Sequence, residues 1–218
     1  MRKLYLAVLL LAACGSGPKY TIDDSVLAQI PLAEKQMMMA AQQEQNYAKE
    51  EVRKAEADYK QADRELDIAE NEYKSSKLQV DSAELQKKSA EASGDMNRKA
   101  QADRDLHVAE LGKKAADAKV DFLSKKRKWM KANWNAAEIH VQAADAKYEL
   151  EKARLAAAKG IKPKDDFNVM SFETESLEKN KKYSEEKLDA DKMKADVDDL
   201  ERKWQAVNNE YMSARGGR

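Results

Sequence analysis

Cys14 is the chain's only cysteine, so no disulfide can form within it. Prolines number 3 and glycines 7 in 218 residues, too few for the closely spaced turns of a sandwich or barrel. Aromatic residues make up 6%, and large apolar side chains are too sparse for a sizeable globular core. Neither charge sign is in excess, since Lys+Arg and Asp+Glu both number 40. That balance removes the basic surplus on which nucleic-acid binding draws. The apolar run Leu4 to Leu11 falls far short of the roughly 20 residues a spanning helix needs. No serine sits in an elbow of glycines, and no phosphate-cradling loop is present. His107 and His140 have no ligand-spaced companion, so neither a metal site nor a catalytic base is expected. No cofactor and no small-molecule substrate are expected either.

What is abundant is charge of both signs, 37% of the chain, on a background of Ala, Glu, Lys, Leu and Arg. Such a composition points to long helices or coiled coil. From Met38 a 3-4 spacing runs through Ala41, Gln45, Ala48, Val52, Ala55, Tyr59, Ala62, Leu66, Ala69, Tyr73, Ser76, Val80 and Ala83. This places one stripe along a helix, with alanines in one set of positions and larger residues mostly in the other. A second series, Leu106 to Ala158, is out of register with the first. The slip falls at Ser93-Gly94-Asp95, where glycine suits the end of one helix and aspartate caps the next.

The expected fold is therefore all-α, a long antiparallel coiled-coil hairpin with a third, shorter C-terminal helix packed on it. Folding about Gly94 and Asp95 sets Ala41 opposite Tyr148, Ala48 opposite Val141 and Tyr73 opposite Ala116. It brings Glu44, Glu65 and Glu72 against Lys147, Lys126 and Lys119, while Lys35–Lys152 and Glu84–Asp103 clash. The second helix carries another apolar stripe, including Val108, Leu111, Phe122, Trp129 and Ile139, and two stripes need two neighbours. The segments expected are a hairpin over 23–159 with its turn at 93–95, a linker over 160–172, a helix over 173–215 and a tail at 216–218. A third helix of that length stops short of the turn and leaves Val108 and Leu111 uncovered. Together with Leu78, Leu85 and Trp129, these are the expected partner contacts.

Two charged stretches compete for attention. Lys125-Lys126-Arg127-Lys128-Trp129-Met130-Lys131 suits an anionic polymer or lipid headgroup, but its residues also fit the helix seams and pair with the first helix. Asp196, Asp198, Asp199 and Glu201 lack the glycine and spacing of a calcium loop, and read as a solvated face.

The N-terminus carries the most specific motif. Arg2 and Lys3 precede the apolar core, and Ala12 and Ala13 precede the cysteine, as in a secretory signal covering 1–13. Leu11-Ala12-Ala13-Cys14 resembles the lipobox of bacterial lipoproteins. The resemblance implies cleavage between Ala13 and Cys14, a diacylglycerol on the Cys14 sulfur, and an acyl chain such as palmitate on its amino group. Two or more chains anchor a protein stably where one does not. Residues 14–22 are then a lipidated tether, flexible through Gly15-Ser16-Gly17-Pro18. Gly15, rather than aspartate, favours the outer membrane facing the periplasm in an organism with two membranes. The chain is similar in outline to coiled-coil lipoproteins of the cell envelope, although it has no terminal lysine at Gly216-Gly217-Arg218 for the peptidoglycan link of murein lipoprotein. The expected function is a non-enzymatic structural or adaptor lipoprotein that contacts an envelope protein or another copy of itself. The alternative is a chaperone-like or secretion-accessory module that clasps exported clients.

Overall fold

The computed structural model describes residues 17–216; the lipobox, with Ala13 and Cys14, lies outside the described residues. Two short 3-10 turns, Asp24–Leu27 and Leu32–Glu34, lead into three helices: α1 Gln36–Ser93, α2 Met96–Ala158 and α3 Val169–Gly216. Among the described residues there is no strand, and no helix is long and apolar enough to cross a membrane.

Glycine ends both of the first two helices. Gly94 takes φ 69° and Gly160 φ 68°, the left-handed conformation that costs a side-chain-bearing residue about 1–2 kcal/mol. After Gly94, the Asp95 carboxylate accepts the N–H groups of Asn97 at 2.9 Å and Arg98 at 3.2 Å, and so starts α2. After Gly160, the Ile161 N–H reaches back to the Ala156 carbonyl at 2.9 Å, closing the α2 terminus in a Schellman turn. Asn168 then caps α3 through the N–H of Met170 at 2.9 Å, several residues ahead of the expected helix start.

The chain divides into two compact units. One joins the residues up to Glu50 with Ala137–Ser184, and the other joins Glu51–Ala136 with those from Glu185 onward. In the second unit α1 and α2 run antiparallel, because rising numbers on one meet falling numbers on the other. Lys126 pairs with Glu65 at 2.7 Å, Lys119 with Glu72 at 2.6 Å and Lys87 with Asp103 at 2.8 Å. Between these rails Ala62, Leu66, Ala69, Ser76, Ala83 and Ala90 are buried. Alanine lets the helix axes approach closely, and the larger residues of α2 fill against it. Tyr59 and Trp134 meet with ring centroids 5.5 Å apart. The partly exposed ion pairs contribute only a few tenths of a kcal/mol each and mainly select the register.

The other stripe of α2 takes α3. Phe122 stacks on Trp204 at 5.5 Å and 5°, within a cluster that includes Leu66, Ala69, Leu123 and Val197. Burying each large member contributes about 1.5–3 kcal/mol. One expectation fails here: α3 does not stop short of Leu111. Tyr211 lies over Gly112, α3 continues to Gly216, and Leu111 is only 7% exposed. The Lys125–Asp196 pair and the contact of Tyr211 with Gly112 fix the α2–α3 register, so a helix that runs on to Gly216 covers this stretch of α2.

Candidate functional site

The first unit gathers the chain's most elaborate polar contacts. Lys19, Tyr20 and Ile22, within the segment expected as the tether, are bound to the helices. Glu175 of α3 accepts the backbone N–H groups of Lys19 at 2.6 Å and Tyr20 at 3.2 Å. Glu149 of α2 accepts the N–H of Ile22 at 2.8 Å. Each carboxylate thereby satisfies backbone donors that belong to no helix and no strand.

Apolar packing completes the clasp. Ile22, Leu27 and Ile30 are buried against Leu150, Ala153, Ala156 and Phe172. The Tyr20 ring sits 5.6 Å from Phe172, and a shallow cavity of about 90 Å³ opens beside them. Leu32 and Met37 of the same unit are exposed.

Lys152 is buried at the centre of this unit. Its ammonium is 2.9 Å from Glu149 and 2.8 Å from Asp24. Burial opposes the charge on Lys152, but hydrogen bonds and attraction from Asp24 and Glu149 outweigh it and raise its pKa above the ordinary range. The expected Lys35–Lys152 repulsion is thus replaced by a three-membered network that ties the N-terminal segment to α2. Nearby, Arg154 bridges Glu151 and Glu173 across the α2–α3 turn.

In the second unit, the basic-aromatic stretch is largely committed to internal contacts. Lys125 pairs with Asp196, Lys126 with Glu65 and Arg127 with Asp63. Lys131 lies 3.6 Å from the Trp134 ring centroid and 5.5 Å from that of Tyr59. Trp129 is half-buried against the Phe122 cluster. Asp199 is likewise engaged, by Lys203 and Arg202. Among the described residues no group of three or more His, Cys, Asp or Glu side chains could hold a metal ion.

The expected partner contacts separate into two sets. Leu78 and Leu85 on α1 are 69% and 67% exposed. Leu111 is buried and Val108 and Trp129 are half-buried, all three being α2 residues, so they offer little or no free surface. Sequence reasoning missed Glu149 and Glu175, which look like any other glutamate on a charged helix. A signal for the clasp did exist: Tyr20, Ile22, Val26, Leu27 and Ile30 crowd apolar side chains into a stretch otherwise read as tether and hairpin start. His140 stacks on Tyr183 at 4.3 Å and meets Tyr47 edge-on at 6.4 Å, which gives it a packing role.

No family model, curated protein or solved structure matches the chain.

Proposed function

We propose that this chain is a lipid-anchored structural or adaptor protein of the cell envelope. It is held at the membrane by a diacylglycerol and an acyl chain on Cys14, and it uses helical surface to contact protein partners. The outer membrane, facing the periplasm, is its location in a two-membrane organism. The role is non-enzymatic.

The observation that carries the reading is Leu11-Ala12-Ala13-Cys14 placed just ahead of a clasped segment. From Cys14 to Lys19 the chain spans at most about 18 Å when fully extended. Because the backbone from Lys19 to Ile22 is bonded to Glu175 and Glu149, pull on the anchor passes directly into α2 and α3. A slack tether would not need that clasp; a short one under tension does. Exposed Leu32 and Met37 in the same unit suit a face that stands close to lipid.

The test is Cys14→Ser with membrane fractionation and labelling by a palmitate analogue. Wild type should carry the label and sediment with membranes. The variant should lose the label and leave the membrane fraction or accumulate as an uncleaved precursor. Normal maturation and fractionation of Cys14→Ser would refute the anchor.

A further inference from the structure

We infer that the outward face of α1 between Ile68 and Ala92 pairs antiparallel with the same face of a second copy of this chain. The inference deepens the partner-contact reading by naming the partner, and it does not depend on acylation of Cys14.

Ile68, Asn71, Ser75, Leu78, Ser82, Leu85, Ser89 and Ala92 follow one another at 3-4 spacing, and all are exposed. None is charged, although 37% of the chain is. The face turned to α2, through Ala69, Ser76, Ala83 and Ala90, lies on the other side of the helix, so α1 carries two seams. Ile68, Leu78, Leu85 and Ala92 give this stripe an apolar row that a second helix would bury, with Asn71 and the serines small enough to let it approach. The same logic gave α2 its second neighbour, and that neighbour is α3.

The flanking charges select the occupant and its direction. Along one edge of the stripe stand Asp67, Lys74, Asp81 and Lys88, and along the other Glu65, Glu72, Gln79 and Gln86. Let two copies of α1 run antiparallel with Ile68 facing Leu85, Asn71 facing Ser82 and Ser75 facing Leu78. Asp67 then stands against Lys88 and Lys74 against Asp81. Two-fold symmetry makes every pair twice. In the parallel arrangement Asp67 meets Glu72, and Lys74 meets only Gln79. One edge is thus fully complementary, the other sets Glu65 against Gln86 and Glu72 against Gln79 without repulsion, and with serine interleaved with leucine the stripe fits a second copy in this direction.

Cysteine crosslinking in membranes from cells making the full chain tests both partner and direction. Asn71→Cys and Ser82→Cys, carried on differently tagged chains in one cell, should form a mixed disulfide on oxidation. Either variant alone should not, because like residues in the antiparallel pair stand about 16 Å apart along the axis, beyond disulfide reach. The wild-type chain, with Cys14 alone, sets the background. Leu78→Glu should abolish the crosslink without loss of helix, since the side chain is exposed. Lys74→Asp should weaken the crosslink a few-fold, and the Lys74→Asp, Asp81→Lys double variant should restore it.

Self-crosslinking of Asn71→Cys alone, or no mixed disulfide at all, would overturn the inference. So would capture of a different protein by both cysteines in place of the second copy. Repeating the experiment with Cys14→Ser separates the two readings, because fractionation reports the anchor and the disulfide reports the pairing.

Discussion

The backbone N–H of Ile22 donates to the Glu149 carboxylate at 2.8 Å, across 127 positions of sequence. The same carboxylate holds the buried ammonium of Lys152 at 2.9 Å. Glu149 therefore serves two partners at once, a backbone donor and a desolvated cation whose other partner is Asp24.

Replacing Glu149 by Ala should leave the Ile22 N–H unpaired and Lys152 with Asp24 alone. The expected cost is about 2 kcal/mol, as for a buried donor left unsatisfied, read from denaturant unfolding followed by circular dichroism. Glu175→Ala should cost less, since it strands only the N–H groups of Lys19 and Tyr20. Amide exchange should distinguish the two: Ile22 quickens in the first variant, and Tyr20 quickens most in the second.

Gly112 offers a sharper case. A Cβ built there would stand 3.0 Å from the Tyr211 ring, so the Tyr211 ring of α3 rests on α2 where α2 has no side chain. Alanine in a helix interior is normally worth about 1 kcal/mol over glycine. Gly112→Ala should fail to realise that gain while Tyr211 is present and recover it in a Tyr211→Ala background. A double-mutant cycle on thermal unfolding reads the coupling, and equal gains in both backgrounds would place Tyr211 elsewhere.

These two sites differ in how far the sequence disclosed them. The α1–α2 register was legible because it is periodic. Glu65–Lys126, Glu72–Lys119 and Glu44–Lys147 recur at heptad spacing and all form. The Gly94–Asp95 turn was legible because only a few residue types solve that local problem. Contacts made by unperiodic backbone left no pattern to read. Glu149 and Glu175 are recognised only through the N–H groups they accept, and those belong to a segment that looks like linker. The Glu84–Asp103 repulsion was misread for a related reason. Lys87, one turn along, reaches Asp103 at 2.8 Å, and holds that carboxyl below its usual range chiefly by its hydrogen bond. A long flexible side chain can thus repair a pairing that spacing alone marks as hostile.

Lys131 supplies a third prediction. Its ammonium faces the Trp134 ring at 3.6 Å and Tyr59 at 5.5 Å, and the attraction to those rings should be worth about 0.5–1 kcal/mol. Lys131→Gln should lose that amount, while Lys131→Arg keeps most of it. An Ala substitution at Lys128, which is exposed, should change stability by less than about 0.5 kcal/mol. Equal losses at 128 and 131 would show that the ring contact contributes nothing of its own.

The pH dependence should be two-sided, with its limbs in different units. Glu65 is held below its ordinary 4.5, first by the hydrogen bond from Lys126 and then by that from Gln61. A carboxylate whose folded pKa is depressed adds stability that is present above the unfolded value and lost as pH falls through the folded one. The acid limb should therefore begin below pH 4.5 and flatten in Glu65→Gln, with a small amplitude because the pair is partly exposed. On the alkaline side, Lys152 is raised above its ordinary 10.5 despite burial, by Asp24 and Glu149. Tyr148 is raised above 10.0, chiefly by burial. Both retain their protons more tightly when folded, so their stabilisation is complete at neutral pH and disappears as pH rises past those values. Melting followed from pH 9 to 12 should show the first unit losing stability ahead of the second. In Lys152→Met, which leaves nothing to titrate there, the alkaline loss should shrink by about 3 °C in melting temperature. An alkaline limb of unchanged size in that variant would mean that the Asp24–Lys152–Glu149 network does not hold the N-terminal segment in place.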